Sequence, residues 1–324
     1  MPPFETPPEL AIPHGNAAEI RGRRTGAGHV LRIWERAEGT TWLLIVTIYG
    51  GWSAILAASA WLPLWIVCPL AAVFGAWHAH LQHELLHGHP MQRQWLNDML
   101  AILPISLVYP YTVYKRSHLE HHISHLTDPL DDPESYYVTP ARWATFGPLR
   151  RAVMVANNTL LGRLVLGPWL STASLFNQQS RRLFAGELLA WGEWTLHGLL
   201  IAVMLWTIDI YTSVSPWLYV FGIAYPATGL AMVRSFLEHR PAKAEDHRTA
   251  VVEAGWFWSL LFLNNNLHVL HHERPGVPWY QLHKIYAKQR DAILERNGGY
   301  VYNGYLDVAR RYLVTPKDLP VHPA

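Results

Sequence analysis

Three histidine clusters carry whatever chemistry this chain performs: His83-Glu-Leu-Leu-His87, His118-Leu-Glu-His121-His122 and His268-Val-Leu-His271-His272. The last two share the spacing H-x-x-H-H. With 19 histidines in 324 residues, a chance H-x-x-H-H is expected ~0.06 times per chain, so two of them beside an H-x-x-x-H are not composition noise. Positions i and i+4, or i, i+3 and i+4, lie on one face of a helix, so each cluster aims two or three imidazoles at a common point. His239, in Arg234-Ser-Phe-Leu-Glu-His-Arg240, could supply a ninth nitrogen. Zinc takes four ligands and a mononuclear iron site rarely more than three from protein, so eight or nine imidazoles imply two metal ions with open positions. Imidazole suits iron, zinc, copper and nickel alike, which leaves the metal open at this point. A purely structural role is set aside, because packing needs no such convergence of polar rings.

The elements that must position these rings are visible where charge is absent. Between Arg36 and Arg93 there is no Lys or Arg, and two apolar runs, Thr41 to Ala60 and Leu62 to Trp77, fill the window. A second such window holds about Leu188 to Ile208 and Trp217 to Val233, separated by the turn-like segment Asp209 to Pro216. Each pair is expected to form a tight transmembrane hairpin, with Trp42, Trp61, Trp65, Trp77, Trp206 and Trp217 near the span ends as an interfacial belt. Every Lys and Arg lies outside the hairpin tips, a positive-inside pattern that predicts cytoplasmic termini. The histidine clusters follow the second span, the next connecting segment and the fourth span, so all face one compartment. Trp95 to Tyr114 and Val153 to Phe176 are therefore expected to be interfacial or re-entrant, because a true span at 95 to 114 would separate the clusters.

Composition excludes other classes. Only 15% of residues are charged, against about 25% in a typical soluble domain, yet a mean hydropathy of +0.04 requires a substantial water-facing part. The net charge of +2 is too small for a nucleic-acid binder. A single cysteine, Cys68, rules out a disulfide framework or a cysteine-ligated cluster within one chain. The expected organisation is all-α and integral to the membrane. Residues 1–40 form a cytoplasmic tail with a basic patch at Arg21 to Arg24, residues 41–290 the membrane domain of four spans, interfacial helices and a cytoplasmic helical cap, and residues 291–324 a C-terminal cytoplasmic tail.

The clusters, their order and their placement after hairpins resemble the membrane fatty acid desaturase superfamily, which also contains lipid and carotenoid hydroxylases and ketolases and alkane hydroxylases. The resemblance extends over residues 40–285. It implies two iron ions held by histidines on the cytoplasmic side, using O2 and two electrons to remove hydrogen from an unactivated C–H bond. By position, His83 and His87 match the first box, His118, His121 and His122 the second, and His268, His271 and His272 the third, with His239 as the additional histidine before it. The run from Thr127 to Glu134 is similar to the family's acidic Asp-Pro-Glu segment. Where animal acyl-CoA desaturases carry an asparagine four residues before the extra histidine, this chain has Ser235, and Asn264 or its neighbours Asn265 and Asn266 are the candidate replacements.

Glu84, Glu120, Glu238 and Glu273 are expected to orient ring N–H groups from behind, with His80 and His125 as weaker candidates for the same support. The resemblance implies a lipid or fatty acyl substrate. With no Gly-rich dinucleotide fingerprint and no cysteine set in the sequence, electrons are expected from a separate carrier of ferredoxin, rubredoxin or cytochrome b5-like type. An acidic carrier would dock on Arg150, Arg151, Arg181, Arg182, Arg234 and Arg240. The bacterial inner membrane is the expected location. Desaturation leads; hydroxylation or ketolation on the same scaffold is the alternative, and a His-rich metal transporter a distant one, since transporters place ligands near the bilayer midplane.

Overall fold

The computed structural model describes residues 34–323. Most of the expected N-terminal tail, including the basic patch at Arg21 to Arg24, lies outside the described residues. Among the described residues, four helices are long and apolar enough to cross a bilayer. They are α1 (Gly39–Ala57), α2 (Leu64–Leu86), α9 (Leu188–Tyr211) and a fourth built from α10 (Pro216–Tyr219), a π turn (Val220–Ala224) and α11 (Tyr225–Glu238). Between the hairpins run α3 (Gln94–Ala101), α4 (Tyr111–His121), α5 (Pro140–Ala144), α6 (Pro148–Asn157), α7 (Leu160–Val165) and α8 (Gly167–Phe184). After α11 come α12 (Trp256–Leu261), α13 (His268–Glu273), α14 (Trp279–Arg296) and α15 (Tyr305–Tyr312). Two short strands, β1 (Val251–Val252) and β2 (Val301–Tyr302), pair in parallel.

Both hairpins form where charge is absent. The second helix runs past Trp77 to Leu86, with His87 as its C-cap, so the span and the first histidine box are one continuous element. The fourth span is widened by its π turn just before Pro226, whose ring would otherwise clash with the carbonyl four residues back. The central pair is α2 and α11, each 50% buried over its most apolar window, against 33% for α1 and 22% for α9. Gly75 lets them approach: a Cβ there would stand 2.8 Å from the Cβ of Ala227. Trp61, Trp65, Trp206 and Trp217 are exposed at the end away from the histidines, as an interfacial belt requires.

The segment from Trp95 to Tyr114 does not span. Its non-helical stretch dips among the spans, with Ile105 fully buried against Trp52, Val67, Tyr219 and Ile223. Backbone polar groups at such depth must be satisfied by protein, and span side chains supply the donors. Tyr49 donates to the Leu100 carbonyl, Gln82 Nε2 to Ala101 O at 2.7 Å, Tyr219 to Ile105 O at 2.9 Å and His197 Nε2 to Leu107 O at 3.1 Å. The stretch from Val153 to Phe176 is broken into parts of α6, α7 and α8 and forms no span either.

The C-terminal residues correct one expectation. Residues 291–323 are not a separate tail: α14 runs through position 290, β2 pairs with β1, and Tyr300, Tyr302, Tyr305 and Val308 are buried with Phe236 and Phe262. Three tyrosines and a valine at these four positions bury too much apolar surface to be left in water.

Candidate metal centre

All nine histidines converge, and they do so in two sets. His83, His87, His118, His122 and His271 form one, and His121, His239, His268 and His272 the other; within each set the candidate ligand atoms lie within 4.8 Å of one another. Helical spacing explains the partition. His118 on α4 and His122 at its C-cap are one turn apart and serve the five-membered set, while His121 is rotated to the other. On α13, His268 and His272 serve the four-membered set and His271 the five-membered one. The His122 and His272 rings stack at 4.3 Å with 20° between planes, so the two sets abut.

Edge lengths fit metal ions. Nε2 of His122 is 3.1 Å from that of His118 and 3.0 Å from that of His271; in the other set His239 Nε2 is 3.1 Å from both His121 and His268. Adjacent ligands at ~2.1–2.2 Å from one ion stand ~3.0–3.1 Å apart, so these edges match cis positions of an imidazole-bound ion.

The opposite ring nitrogens are held from behind. His121 Nδ1 donates to Asp132 Oδ1 at 2.7 Å and His118 Nδ1 to Glu134 Oε1 at 3.2 Å. His268 Nδ1 donates to Asn265 Oδ1 at 3.0 Å and lies 3.2 Å from Glu238 Oε1. Committing Nδ1–H outward leaves the Nε2 lone pair inward, the tautomer a metal needs. Burial also keeps the rings neutral. It lowers the pKa of His87, His122, His239, His268, His271 and His272, with neighbouring imidazoles adding to the effect; that of His122 falls to about 3. At His121 burial pulls down, but the Asp132 hydrogen bond and the Glu134 and Asp132 charges outweigh it and the net shift is upward.

Several expected supports are placed elsewhere. Glu84 accepts the backbone N–H of Trp279 at 2.9 Å and so anchors the start of α14. Glu273 pairs with Arg296 at 2.8 Å. Glu120 is exposed, with no hydrogen bond to an imidazole among the described residues. Each neighbours a cluster histidine on a helix, and one residue along a helix is ~100° around it, which turns these carboxylates away from the rings. Glu238 escapes because it ends α11. Asn264 donates to the Trp279 carbonyl, and Asn265 is the asparagine at the site, its Nδ2 3.2 Å from both ring nitrogens of His83. His80 packs edge-on against Phe262, and His125 is exposed and paired with Glu245 at 2.5 Å. Asp132 and Glu134, inside the acidic run after the second box, were not singled out from the sequence; the signal was the run itself. Arg234 is buried, its Nε 2.8 Å from Glu238 Oε1, and cannot form part of a docking surface.

The family model for fatty acid desaturases matches residues 59–304. The chain belongs to the fatty acid desaturase family. Among characterised proteins, this family member is similar to the sn-1 oleoyl-lipid 12-desaturase of Picosynechococcus sp., 25% identical over 301 residues, covering 84% of this chain and 79% of that one. The residues matched by the family model contain the histidines from His83 to His272. Family membership makes the chain an oxidoreductase of the multi-pass membrane type, and the two imidazole sets are groups that could hold metal ions.

Proposed function

We propose that the chain is a di-iron desaturase that introduces a double bond into a fatty acyl chain, free or in a lipid. In the balanced reaction, –CH2–CH2– with O2, two electrons and two protons gives –CH=CH– and two waters. The observation that carries this reading is the partition of the nine imidazoles into two adjoining sets at one end of the apolar spans, where acyl chains are within reach. The oleoyl-lipid activity named for the cyanobacterial relative supports an acyl-lipid substrate.

Two irons bound by the nine histidines would supply the oxidising power that takes hydrogen from an unactivated methylene. The protein's own groups do the rest. Asp132, Glu134 and Asn265 fix the tautomer and direction of His121, His118 and His268. Tyr114 packs against His118 at 5.7 Å and stacks with Tyr109 at 5.8 Å, so these rings tie the re-entrant loop to the histidines. Holding the reacting carbons within a fraction of an ångström there decides whether the second hydrogen leaves or oxygen is delivered. The site faces the cytoplasm of a bacterial inner membrane, and an external ferredoxin, rubredoxin or cytochrome b5-like protein delivers the electrons.

The test is mass spectrometry of total lipids from a host expressing wild type beside one expressing His271→Ala. A wild-type-specific species ~2 Da lighter, absent from the variant because a lost ligand abolishes the chemistry, is the expected result. A species ~16 Da heavier would overturn desaturation in favour of hydroxylation with the same ligands.

A further inference from the structure

We propose that Lys317 is a positioning residue for His239, and through it for the four-histidine metal position; this rests on the di-iron reading above. In that set, His121 and His268 are gripped at Nδ1 by Asp132 and Asn265. His239 is not. Its Nδ1 is buried with no hydrogen-bond partner among the described residues, so nothing holds the ring from behind. Its direction is set by the main chain.

That main chain is clamped. His239 lies just beyond α11 in extended conformation, φ −129° and ψ 147°, and forms an antiparallel bridge with Thr249. Its carbonyl accepts a 2.7 Å hydrogen bond from Lys317 Nζ. The Lys317 side chain is only 3% exposed, and its amino group also donates to Tyr136 Oη at 3.1 Å and lies 3.6 Å from Asp318 Oδ2. Lysine is among the residues least often fully buried, because its amino group loses water on burial unless it is paired. Here the partners are a ligand's own carbonyl, a tyrosine and a carboxylate.

The segment carrying Lys317 is anchored in turn. Its backbone N–H donates to Asn158 O at 2.8 Å, Asn158 Nδ2 donates to Asp318 O at 2.8 Å, and Tyr137 donates to Asp318 Oδ2 at 2.8 Å. The C-terminal segment thus crosses back over the cap and closes on the carbonyl of one histidine. Metal–ligand distances tolerate about 0.2 Å, so a shift of the His239 backbone by a fraction of an ångström detaches its Nε2 from the position it shares with His121 and His268. Among the described residues, none of the five histidines of the other set hydrogen-bonds to the C-terminal segment.

The experiment uses the full-length protein in detergent, stripped of metal and titrated anaerobically with Co2+, reading bound ions per chain and the visible Co2+ spectrum. Wild type should take up two ions. Lys317→Met should keep one at wild-type affinity and bind the second at least ~10-fold more weakly, the pattern also expected of His239→Ala. Lys317→Arg should restore most of the second site, since a guanidinium can donate to the same carbonyl. Two ions bound as tightly by Lys317→Met as by wild type would overturn the proposal. So would loss of both ions together in Lys317→Met and Lys317→Arg, which would mark a general structural role. A wild type that binds fewer than two ions defeats the di-iron reading, and the Lys317 proposal with it.

Discussion

The Nδ1–H of His121 donates to Oδ1 of Asp132 across 2.7 Å, with both side chains 2% exposed. The same carboxylate accepts the backbone N–H groups of Thr127 and Glu134 at 2.8 and 2.9 Å. Asp132 therefore folds its loop and aims one imidazole of the four-histidine set at once. Two residues later, Glu134 does the corresponding work for His118, which belongs to the other set. Asp132→Asn keeps the shape but puts an amide donor among N–H donors. It should weaken metal binding at the four-histidine set about 10- to 100-fold and leave the five-histidine set filled, whereas Glu134→Gln should show the reverse preference. Site-resolved iron content by Mössbauer spectroscopy checks both, and equal losses in the two sets would sink the assignment.

The convergence of the histidines was legible in the sequence because helical periodicity converts spacing into direction: His83 and His87, or His118 and His122, share a face whatever surrounds them. The spans were legible for a similar reason, as apolar length alone reports them. The carboxylates near the rings, Glu238 apart, were not. Those nearest in sequence, Glu84, Glu120 and Glu273, turn away by helical rotation, while Asp132 and Glu134 reach back through a loop whose path no periodicity reports. Lys317 lay hidden for a stronger reason, because its partner is a backbone carbonyl 78 positions earlier and no residue pattern encodes that contact.

The re-entrant loop yields a prediction about depth. Tyr219 is fully buried and donates to the Ile105 carbonyl, so Tyr219→Phe leaves that carbonyl without a donor where water is scarce. The expected cost is about 1–2 kcal/mol, read as a lower unfolding midpoint in detergent, with both metal ions retained. Loss of metal in this variant would mean that the loop supports the histidines directly rather than the bundle.

Arg234 and Glu238 are a buried ion pair, 10% and 8% exposed at the side chain. Removing one partner strands a charge. Arg234→Met should destabilise the protein by about 3–5 kcal/mol, and adding Glu238→Gln should recover more than half of that loss. A double variant no more stable than the single one, by chemical denaturation, would show that packing rather than charge holds Arg234 in place.

Electron delivery predicts a salt dependence. With Arg234 withdrawn, the exposed Arg150 and Arg181 and the half-buried Arg151, Arg182 and Arg240 remain from the expected docking set; Arg150 lies over the Phe146 ring, Arg151 donates to the Trp143 and Ala144 carbonyls, Arg182 pairs with Glu187 and Arg240 lies over the Tyr300 ring, and each keeps its charge. An acidic carrier docking there should show a KM for the carrier that rises as salt screens the encounter. Arg150→Glu with Arg181→Glu should raise KM further at low salt and leave kcat unchanged. A KM indifferent to both salt and charge reversal would place the docking surface elsewhere.

Acid should dismantle the centre, and the sign follows from burial. Imidazole ordinarily titrates near pH 6.5, but burial pushes His122 down to about 3 and lowers His87, His239, His268, His271 and His272 as well. Between those limits the unfolded metal-free chain takes up protons that the folded one refuses. The contribution of these rings to stability is therefore complete above pH ~6.5 and is lost as pH falls toward their folded values. His121 runs the other way, since its raised pKa adds stability at low pH that fades as pH rises through the folded value; six lowered rings outweigh it. The unfolding midpoint of metal-free protein should fall between pH 7 and pH 5, and bound metal should be released over the same interval as protons compete for Nε2. A midpoint that holds steady or rises on acidification would mean that the rings are already protonated in the folded metal-free state, paired to Asp132 and Glu134 as cations rather than waiting as neutral ligands.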